Sequence, residues 1–317
     1  MWKEKIKQAH SLIKKEIRQT PLEYSPSLSK LSGAEVFLKL ENYQLSGSFK
    51  IRGVMNKLLS LTDAELQKGL VACSTGNHGA AFAYALDKFD YEGLLFLPTN
   101  VSKTKLEALR NYEVELDFFG EDCVDTEQHG RNYALSHDKI FFSPYNDETI
   151  VAGQGTIGFE IINQMEHPPD AVIAPVGGGG LISGLGVFLK GCDSNIQVIG
   201  CQPINSAVMH ESLKVGRVVE LESLPTLSDA TAGGIEKDSI TFEMCQQFVD
   251  DIILLPEEDI KTAIKLLVKH HQMIVEGAAA MTLATLLSQP NQFRGKKVVL
   301  ILSGKKLSET DLLKSLV

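Results

Sequence analysis

Lys50 is the residue of this sequence best suited to covalent chemistry. It stands in SGSFKIRG, residues 46–53, between Phe49 and Ile51 and after small residues. The stretch follows VFLKLEN, whose alternating pattern is typical of a strand, and this predicts that the lysine lies at the end of that strand. A lysine in this position is either a surface charge or an amine nucleophile. Residues further along the chain are needed to choose between the two.

Four consecutive glycines, Gly177 to Gly180, follow the strand-like AVIAPV and precede a helix-like segment. Unhindered backbone N–H groups at a helix N-terminus favour an anion such as phosphate, whereas a tight turn alone needs only one glycine. A P-loop would continue with Lys and then Ser or Thr, but Leu181 and Ile182 follow here. A dinucleotide-binding GxGxxG motif also fails, since its third glycine falls on Ile182 or Ser183. The pattern therefore indicates the phosphate of a smaller cofactor.

Two more loops place polar groups at the ends of strand-like segments. In CSTGNHGAAFAYA, the amides and hydroxyls of residues 74–78 lie where a helix begins, which suits an anion of carboxylate size. The simpler interpretation of this loop is an ordinary helix N-cap. In ILSGKK, Ser303 follows a buried strand, at the edge where active-site groups of open α/β sheets gather. Taken alone, that serine is part of a turn.

The elements that must position these groups alternate between strand and helix from about residue 35 onward. Such alternation predicts an α/β fold with two open, mostly parallel sheets flanked by helices. Ligands of such folds bind in the crevice at the carboxyl ends of the strands. The N-terminal MWKEKIKQAHSLIKKEI has helical spacing of its apolar residues and predicts an amphipathic helix packed on the body. The segment after Leu61 and the PYNDET stretch, residues 144–149, are the expected crossings between two domains.

Composition limits the function classes. The 317 residues are 44% hydrophobic and carry a formal net charge of −9, which argues against nucleic acid and anionic membranes as partners. No apolar run approaches the roughly 20 residues that span a bilayer. The five cysteines are scattered without metal-like spacing, and their odd number suits a reducing compartment, so a cytoplasmic location is expected. They are Cys73, Cys123, Cys192, Cys201 and Cys245.

Taken in chain order, these motifs resemble those of the fold-type II pyridoxal phosphate enzymes, and within them the serine/threonine dehydratase and serine racemase family. The resemblance covers most of the chain and rests on RQTPLEYSPSLSKL, VFLKLENYQLSGSFKIRG, STGNHGAAFAYA, VAGQGTIGFEI, PVGGGGLISGL, VEGAAA and VLILSG. It implies a fold like that of tryptophan synthase β, with pyridoxal 5′-phosphate in the cleft between domains. It also implies a large cofactor-binding domain of residues 1–64 and 146–317, a small substrate-closing domain of residues 65–145, and a homodimer.

The resemblance implies a role for each site residue. Lys50 would hold the cofactor as a Schiff base and, once released by substrate, act as general base, with Phe49 packed against the ring. Asn77 would hydrogen-bond the ring hydroxyl, and Ser303 would meet the pyridine nitrogen. The cofactor phosphate would be bound by Gly177, Gly178, Gly179, Gly180 and Leu181. The carboxylate of the amino-acid substrate would be surrounded by Ser74, Thr75, Gly76, Asn77 and His78.

A neutral hydroxyl opposite the pyridine nitrogen makes a weaker electron sink than an aspartate would, which favours loss of a β-substituent. We therefore expect α,β-elimination of water from a β-hydroxy amino acid, L-threonine or L-serine, giving a 2-oxo acid and ammonia. The same fold leaves open a serine racemase, a 3-hydroxyaspartate dehydratase and a β-replacing synthase. The non-enzymatic alternative is a pyridoxal phosphate-binding regulatory protein. Racemases of the family have serine at the place of Thr75, so racemisation is expected to be minor.

The sequence also departs from the family pattern. Lys305 and Lys306 replace the glycine and asparagine of the usual SGGN. Gln202 and Val208 stand where metal-binding members carry carboxylates. Since hard cations need anionic oxygens, the expectation is either no bound magnesium or calcium there or only a weak site. The segment LSDATAGGIEKDS, residues 227–239, is expected to line the side-chain pocket. Because the sequence ends shortly after SGKK, we expect no regulatory domain and no control by isoleucine.

Two remaining features have simpler interpretations. Glu276, in VEGAAA, is expected to be either a helix cap or a wall of the pocket. His270 and His271 have no partner acids at ligand spacing and are expected to be structural or exposed.

Overall fold

The computed structural model describes residues 1–101, 103–121 and 123–316. Within these ranges the chain forms ten strands. They are β1 (Leu22–Tyr24), β2 (Glu35–Lys39), β3 (Leu70–Cys73), β4 (Gly93–Leu97), β5 (Glu115–Phe118), β6 (Ile140–Phe142), β7 (Ala171–Pro175), β8 (Gln197–Pro203), β9 (Asp251–Leu255) and β10 (Lys297–Ile301).

Helices connect and cover the strands. They are α1 (Trp2–Ile13), α2 (Pro26–Ser32), α3 (Lys50–Ser60), α4 (Asp63–Leu66), α5 (Asn77–Phe89), α6 (Lys103–Leu109), α7 (Cys123–Ser136), α8 (Glu148–Gln164), α9 (Gly180–Cys192), α10 (Val208–Val215), α11 (Ile240–Phe248), α12 (Glu257–His271), α13 (Gly277–Ser288), α14 (Pro290–Phe293) and α15 (Glu309–Leu316). Short 3-10 turns occupy Glu41–Tyr43, Ile204–Ser206 and Asp229–Thr231.

The larger sheet has six strands in the order β1-β2-β10-β7-β8-β9. Strand β1 is antiparallel to β2, and the other pairs are parallel. Strand β10 comes last in the sequence but lies in the middle, where Val298 is paired with Val36 on one side and Ala171 on the other. Its central position explains its apolar sequence, because a parallel strand covered on both faces is buried throughout.

The smaller sheet has four parallel strands in the order β5-β4-β3-β6. The prediction of two mostly parallel sheets flanked by helices is therefore confirmed. The apolar side of α3 packs into the core of this smaller sheet, where Val54 joins the same cluster as Phe82 and Leu95. The division of the chain at residues 64 and 145 stays a prediction.

Side chains that alternate along the strands form a core on each face of the larger sheet. Ile173 and Leu300 point to the face covered by α12 and α13, whereas Val172 and Val299 point to the face covered by α9. At 25 cal/mol per Å² of apolar area, each such side chain stabilises the fold by roughly 1.5–3 kcal/mol. The two buried faces hold β7 and β10 rigidly, and the loops that follow them are correspondingly well fixed.

A buried ionic cluster, which we call the Arg52 cluster, joins α3 to α8 and β2. It consists of Lys39, Glu41, Arg52 and Glu160, and each side chain is at most 1% exposed. The guanidinium of Arg52 donates to both oxygens of Glu41 at 2.7 and 2.8 Å and to both oxygens of Glu160 at 2.7 and 2.8 Å. The ammonium of Lys39 donates to the same Glu160 carboxylate. Two cations and two anions thus pair completely, which is the condition for burying them.

The N-terminal segment forms the predicted amphipathic helix. Ile6, Ala9 and Ile13 are buried along one side of α1, which ends at Ile13 rather than continuing to Ile17. None of the helices described in residues 1–101, 103–121 and 123–316 combines the length and the apolar character that crossing a bilayer requires.

Candidate active site

Lys50 lies at the N-terminus of a helix. Strand β2 ends at Lys39, and a 3-10 turn separates it from Lys50, the first residue of α3. The prediction that Lys50 ends a strand is therefore wrong. The chain turns back at Gly47, which adopts φ +83°, before the helix begins. Only glycine adopts this conformation readily, so the small residues before Lys50 make a turn as well as room for a ligand.

The amine of Lys50 is held by one backbone contact. Its Nζ donates to the carbonyl of Pro144 at 2.7 Å, and it lies 5.3 Å from the ring centroid of Phe49. Burial lowers the pKa of Lys50 to about 8, while the charges of Glu127 and Glu276 act in the opposite direction. About a tenth of the amine is therefore neutral at pH 7, far more than for an ordinary lysine. A neutral amine is the form that can act as a nucleophile or as a base.

Ser303 lies directly beside the turn that carries Lys50. It follows β10, is 1% exposed, and accepts a hydrogen bond at its backbone carbonyl from the N–H of Phe49 at 3.0 Å. Ser48 and Gly304 form an isolated bridge next to it. The Ser303 hydroxyl is buried and has no hydrogen-bond partner among the described residues. A hydrogen-bonding ligand atom at this position would complete the hydrogen bonding of the hydroxyl.

Asn77 begins α5 and contacts Glu276. Its Nδ2 donates to both carboxylate oxygens of Glu276, at 3.0 and 2.9 Å, while its Oδ1 is buried without a partner in the described part of the chain. Burial raises the pKa of Glu276 to about 7, opposed by the hydrogen bond from Asn77. Glu276 is the N-cap residue of α13, but its side chain makes no capping bond. Of the two expectations for Glu276, the pocket wall is therefore the one the geometry supports.

The loop before α5 differs from an ordinary N-cap. The N-cap position is Gly76, and no side chain caps the helix, because the Ser74 hydroxyl accepts instead from the Gly76 N–H at 3.1 Å. Ser74, Thr75 and Gly76 are half-buried, which leaves them partly accessible. The cap interpretation is therefore wrong for this loop.

His78 is buried next to Asn77. Its Nε2 donates to the carbonyl of Phe142 at 2.9 Å, and its Nδ1 has no partner among the described residues. Burial, and then the charge of Lys50, lower the pKa of His78 to about 3. His78 is therefore neutral under all ordinary conditions and presents an acceptor nitrogen without a charge.

The four glycines follow β7 and lead into α9, whose first residue is Gly180, as the sequence predicts. Gly179 is the N-cap and adopts φ +86°, a conformation that other residues rarely adopt. A Cβ on Gly178 would lie 2.4 Å from the ring of Tyr145, and a Cβ on Gly177 would lie 3.1 Å from Cα of Thr231. Part of the glycine requirement therefore comes from neighbours within the chain. Leu181, by contrast, has its side chain in the core, which leaves only its backbone for binding.

Sequence reasoning missed Tyr145, which connects the glycine loop to Lys50. Tyr145 follows Pro144, the acceptor for Lys50, and its hydroxyl accepts from the N–H of Glu236 at 2.9 Å. Burial raises the pKa of this phenol, so it stays protonated. The sequence signal at this place, PYNDET, predicts only a domain crossing.

Glu127 was missed as well. It lies in α7, and burial together with the charge of Glu236 raises its pKa to about 7. Arg131, which lies 3.4 Å from Glu127, forms a shorter contact of 2.7 Å with Glu236. Because α7 lacks a clear apolar stripe, nothing in its sequence marks this acid as part of a site.

The residues that depart from the family pattern have structural roles. The backbone N–H of Lys305 donates to the carbonyl of Gly47 at 3.1 Å, and the backbone N–H of Lys306 donates to Glu276. The loop after Ser303 is therefore fixed through its backbone, despite the two lysines. Gln202 uses its Oε1 to accept from the N–H of His210 at 2.8 Å, and Val208 is buried.

Three further expectations can be compared with the structure. No group of three His, Cys, Asp or Glu side chains in the described ranges has the arrangement of a metal site, and the absence of a bound cation stays a prediction. His271 is structural, since its Nε2 lies 2.8 Å from the hydroxyl of Ser25. Cys192, Cys201 and Cys245 are free thiols. The side chain of Cys123 lies outside the described residues.

Two series of contacts connect several of the predicted groups. The first series begins at Lys50, whose neighbour Phe49 is hydrogen-bonded to Ser303 through the backbone. Gly304 follows Ser303, and a Cβ added to it would lie 2.6–2.8 Å from the Glu276 carboxylate. Glu276 in turn accepts from Asn77. A second runs from Lys50 through Pro144 and Tyr145 to the glycine loop. We call Lys50, Asn77, His78 and Ser303 the cleft groups.

Comparison with known proteins identifies the class. The fold is that of the fold-type II pyridoxal phosphate enzymes, and the chain belongs to the family described as pyridoxal-phosphate dependent enzymes, whose model matches residues 13–304.

Individual relatives narrow the class. The chain is 37% identical to a biosynthetic L-threonine dehydratase of Halalkalibacterium halodurans over 300 residues, which cover 93% of this chain and 72% of that protein. It is 38% identical to the catabolic L-threonine dehydratase of Escherichia coli K12 over 290 residues, covering 91% and 88%. The solved structure of maize serine racemase superposes with a TM-score of 0.91 at 27% identity, covering 99% of this chain and 96% of that one.

The residues present fit the cofactor of this family. The cofactor aldehyde requires a partly neutral amine, which Lys50 supplies. The polar atoms of the ring require hydrogen-bonding partners, and the Ser303 hydroxyl and the Asn77 Oδ1 are buried without partners among the described residues. The phosphate requires backbone N–H groups, which the glycine run supplies at the N-terminus of α9.

Proposed function

We propose that this protein is a threonine/serine dehydratase, an ammonia-lyase. It would remove water from L-threonine or L-serine, and the enamine so released would tautomerise and be hydrolysed to a 2-oxo acid and ammonia. The water lost in the first step balances the water consumed in the last. The 37–38% identity to L-threonine dehydratases over more than nine-tenths of the chain supports this substrate class.

The observation that carries the proposal is the Ser303 hydroxyl. It is buried, uncharged and without a partner among the described residues, at the carboxyl edge of the central strand β10. When bound, pyridoxal phosphate draws the electrons of the cleaved Cα–H bond into its ring, and a neutral partner at the ring nitrogen keeps that withdrawal moderate. Moderate withdrawal favours departure of the β-hydroxyl over chemistry that needs a long-lived carbanion.

Lys50 would carry the proton chemistry. We assign it as the residue that holds the cofactor covalently and, once freed, as the base that takes the proton from Cα. Its lowered pKa of about 8 supports this role, because a base must be neutral before it acts. The Pro144 carbonyl, at 2.7 Å, orients the amine.

The remaining residues would bind and orient. Backbone N–H groups of Gly177 to Leu181 would hold the phosphate, supported by the helix N-terminus at Gly180. Asn77 would bond the ring hydroxyl, and Phe49 would pack against the ring. The substrate carboxylate would be held by the loop of Ser74, Thr75, Gly76, Asn77 and His78. The neutral state of His78 supports that role for hydrogen bonding rather than ion pairing.

Racemisation is the second candidate, favoured by the similarity to maize serine racemase. It would require a group on the second face of Cα that returns a proton, and Thr75 stands where racemases of the family carry a serine. The extra methyl of Thr75 supports a minor racemase activity beside elimination.

A substrate panel tests the proposal. The purified protein, loaded with pyridoxal phosphate, would be incubated with the L- and D-forms of serine, threonine and 3-hydroxyaspartate, and 2-oxo acid, ammonia and enantiomer would be measured. L-Threonine or L-serine should give 2-oxo acid and ammonia in equal amounts. Epimerisation of serine without 2-oxo acid would contradict the proposal in favour of a serine racemase. Turnover of 3-hydroxyaspartate alone would favour a 3-hydroxyaspartate dehydratase. Binding of substrate without turnover would indicate a regulatory protein.

We also propose the setting in which the enzyme works. The division into residues 1–64 with 146–317 and residues 65–145, and a homodimeric assembly, are supported by the family resemblance. A cytoplasmic location is supported by the free thiols of Cys192, Cys201 and Cys245. No nucleic-acid or membrane partner is expected at a net charge of −9. Light scattering on the purified protein should give twice the chain mass, and a monomeric mass would exclude the dimer.

A further inference from the structure

The two ends of the Asn77 side-chain amide differ in their hydrogen bonding. Its Nδ2 donates to both oxygens of the Glu276 carboxylate at 3.0 and 2.9 Å, whereas its Oδ1 has no partner among the described residues. Asn77 is 8% exposed and Glu276 is 4% exposed, so water does not readily substitute for either partner. While Glu276 is ionised, turning the amide over would place Oδ1 against two carboxylate oxygens that act only as acceptors. The orientation of the amide is therefore dictated by Glu276.

Glu276 itself is held by the turn that follows Ser303. Its backbone N–H donates to the carbonyl of Gly304 at 3.1 Å, and its carboxylate accepts from the backbone N–H of Lys306. A Cβ added to Gly304 would lie 2.6–2.8 Å from the carboxylate atoms, so glycine at this position is what lets the acid approach the turn. The acid is thus fixed by the same loop that carries the ring-nitrogen partner, and it faces the residue proposed to meet the ring hydroxyl.

We propose that Glu276 is a positioning residue that acts through Asn77, holding its amide in the one orientation that serves the ring hydroxyl of the cofactor. The inference deepens the proposed function and rests on the role assigned there to Asn77. Glu276 does not touch the reacting atoms. Its contribution is to remove the rotational freedom of the amide before the cofactor arrives, so that the hydrogen bond to the ring costs no reorganisation.

A structural role and a positioning role differ in what they do to cofactor analogues. If Glu276 merely supported the fold, replacing it would weaken every cofactor equally. If it acts through Asn77 on the ring hydroxyl, its replacement weakens only cofactors that have this hydroxyl. Pyridoxal phosphate and 3-deoxypyridoxal phosphate, which lacks it, form the matched pair of probes.

The experiment measures the dissociation constants of both probes for the apo-protein, by equilibrium dialysis, in the wild type and three variants. Wild type should prefer pyridoxal phosphate by about tenfold, the contribution of one hydrogen bond. Asn77→Ala and Glu276→Ala should each reduce this preference to about onefold. Glu276→Gln offers Asn77 both an acceptor oxygen and an NH₂ donor, so it accepts either orientation of the amide and should give an intermediate preference.

Controls separate the possible failures. Glu257→Gln removes another carboxylate, one that accepts from the Leu227 N–H at a different helix start, and should leave the preference unchanged. Loss of preference in Asn77→Ala but not in Glu276→Ala would overturn the positioning role alone. No loss in Asn77→Ala would overturn the role of Asn77 in the proposed function, and with it the inference. Equal weakening of both probes by Glu276→Ala would show a structural role only.

Discussion

The Arg52 cluster and the cleft groups are two sets of polar side chains inside the protein, and each set takes one member from the same stretch of sequence. Arg52 follows Lys50 by two residues, so one turn of α3 contributes to both. In the Arg52 cluster every charge is paired, and Arg52 donates to two carboxylates at once. Among the cleft groups, the Ser303 hydroxyl, the Asn77 Oδ1 and the His78 Nδ1 have no partner in the described residues.

The difference separates scaffold from site. Burying a polar atom without a partner costs about 1–3 kcal/mol, and a stable fold rarely tolerates several such atoms close together. The completely paired cluster stabilises the angle between α3 and α8, while the unpaired atoms keep their hydrogen-bonding capacity for a ligand. Removing a scaffold group should therefore damage the fold, and removing a cleft group should damage function while leaving the fold intact.

The largest effect is expected from Lys50→Ala. Loss of both the covalent attachment and the base should lower 2-oxo acid formation at least about 10⁴-fold, without loss of folded structure by circular dichroism. A lactate dehydrogenase-coupled assay and mass spectrometry of the borohydride-reduced protein measure the two losses. Lys269→Ala, at an exposed position of α12, is the matched control. Cofactor still attached covalently to the Lys50→Ala protein would contradict the assignment.

The scaffold side of the comparison is tested by Arg52→Met. It leaves the carboxylates of Glu41 and Glu160 buried without their main partner, which should lower the free energy of unfolding by about 3–5 kcal/mol. Urea denaturation monitored by circular dichroism measures the change. Glu220→Gln, which breaks an exposed pair with Lys237, should change it by less than about 1 kcal/mol. If Arg52→Met were as stable as the wild type, the assignment of the Arg52 cluster to the scaffold would be wrong.

Deleting a single hydroxyl from each region sharpens the comparison. Thr156 accepts from Arg52 at 3.1 Å and donates to the Gly153 carbonyl, so Thr156→Val should destabilise the apo-protein by about 1–3 kcal/mol. Ser303→Ala removes a hydroxyl without a protein partner among the described residues and should change stability by less than about 0.5 kcal/mol. Its cofactor affinity should nevertheless fall about tenfold. Equal destabilisation by both variants would show that the Ser303 hydroxyl is part of the scaffold.

The smallest effect is a shift in pH dependence. The pKa of Lys50 in the folded apo-protein, about 8, lies below its ordinary value of 10.5, so the unfolded chain binds more protons between these values. The contribution of Lys50 to the free energy of unfolding should therefore rise as pH increases from 8 to 10.5 and should be constant below pH 8. Labelling of Lys50 by trinitrobenzenesulfonate, followed by peptide mass spectrometry, should show a midpoint near pH 8. The negative charge of Glu276 favours the protonated form of Lys50, so Glu276→Gln should lower that midpoint. A midpoint above pH 10 would contradict the lowering of the Lys50 pKa by burial.

The sequence predicts those parts of the site that depend on local chain geometry. A strand, a glycine run and a helix in succession identify the glycine loop, and an apolar strand followed by Ser303 identifies the hydroxyl at the sheet edge. Lys50 was placed on the wrong element, because the turn at Gly47 and the following helix depend on contacts with residues 303–305.

Contacts between distant segments could not be predicted. Glu276 approaches Asn77 across 199 residues of sequence, and Tyr145 covers the glycine loop from a separate connection. A single sequence shows neither contact, because each depends on how whole elements pack rather than on a local pattern. Glu127 is of the same kind, since only tertiary burial gives its carboxyl an unusual pKa.

The position of β10 has a consequence for how the protein is made. Strands β1 and β2 emerge early in synthesis and β7, β8 and β9 emerge later, but β10 alone joins these two groups. Until the ribosome has released β10, β2 and β7 each expose an unpaired edge, the kind of surface on which chains aggregate. The same strand brings Ser303 to Phe49. A nascent chain therefore acquires its complete larger sheet and its cofactor site in a single late event.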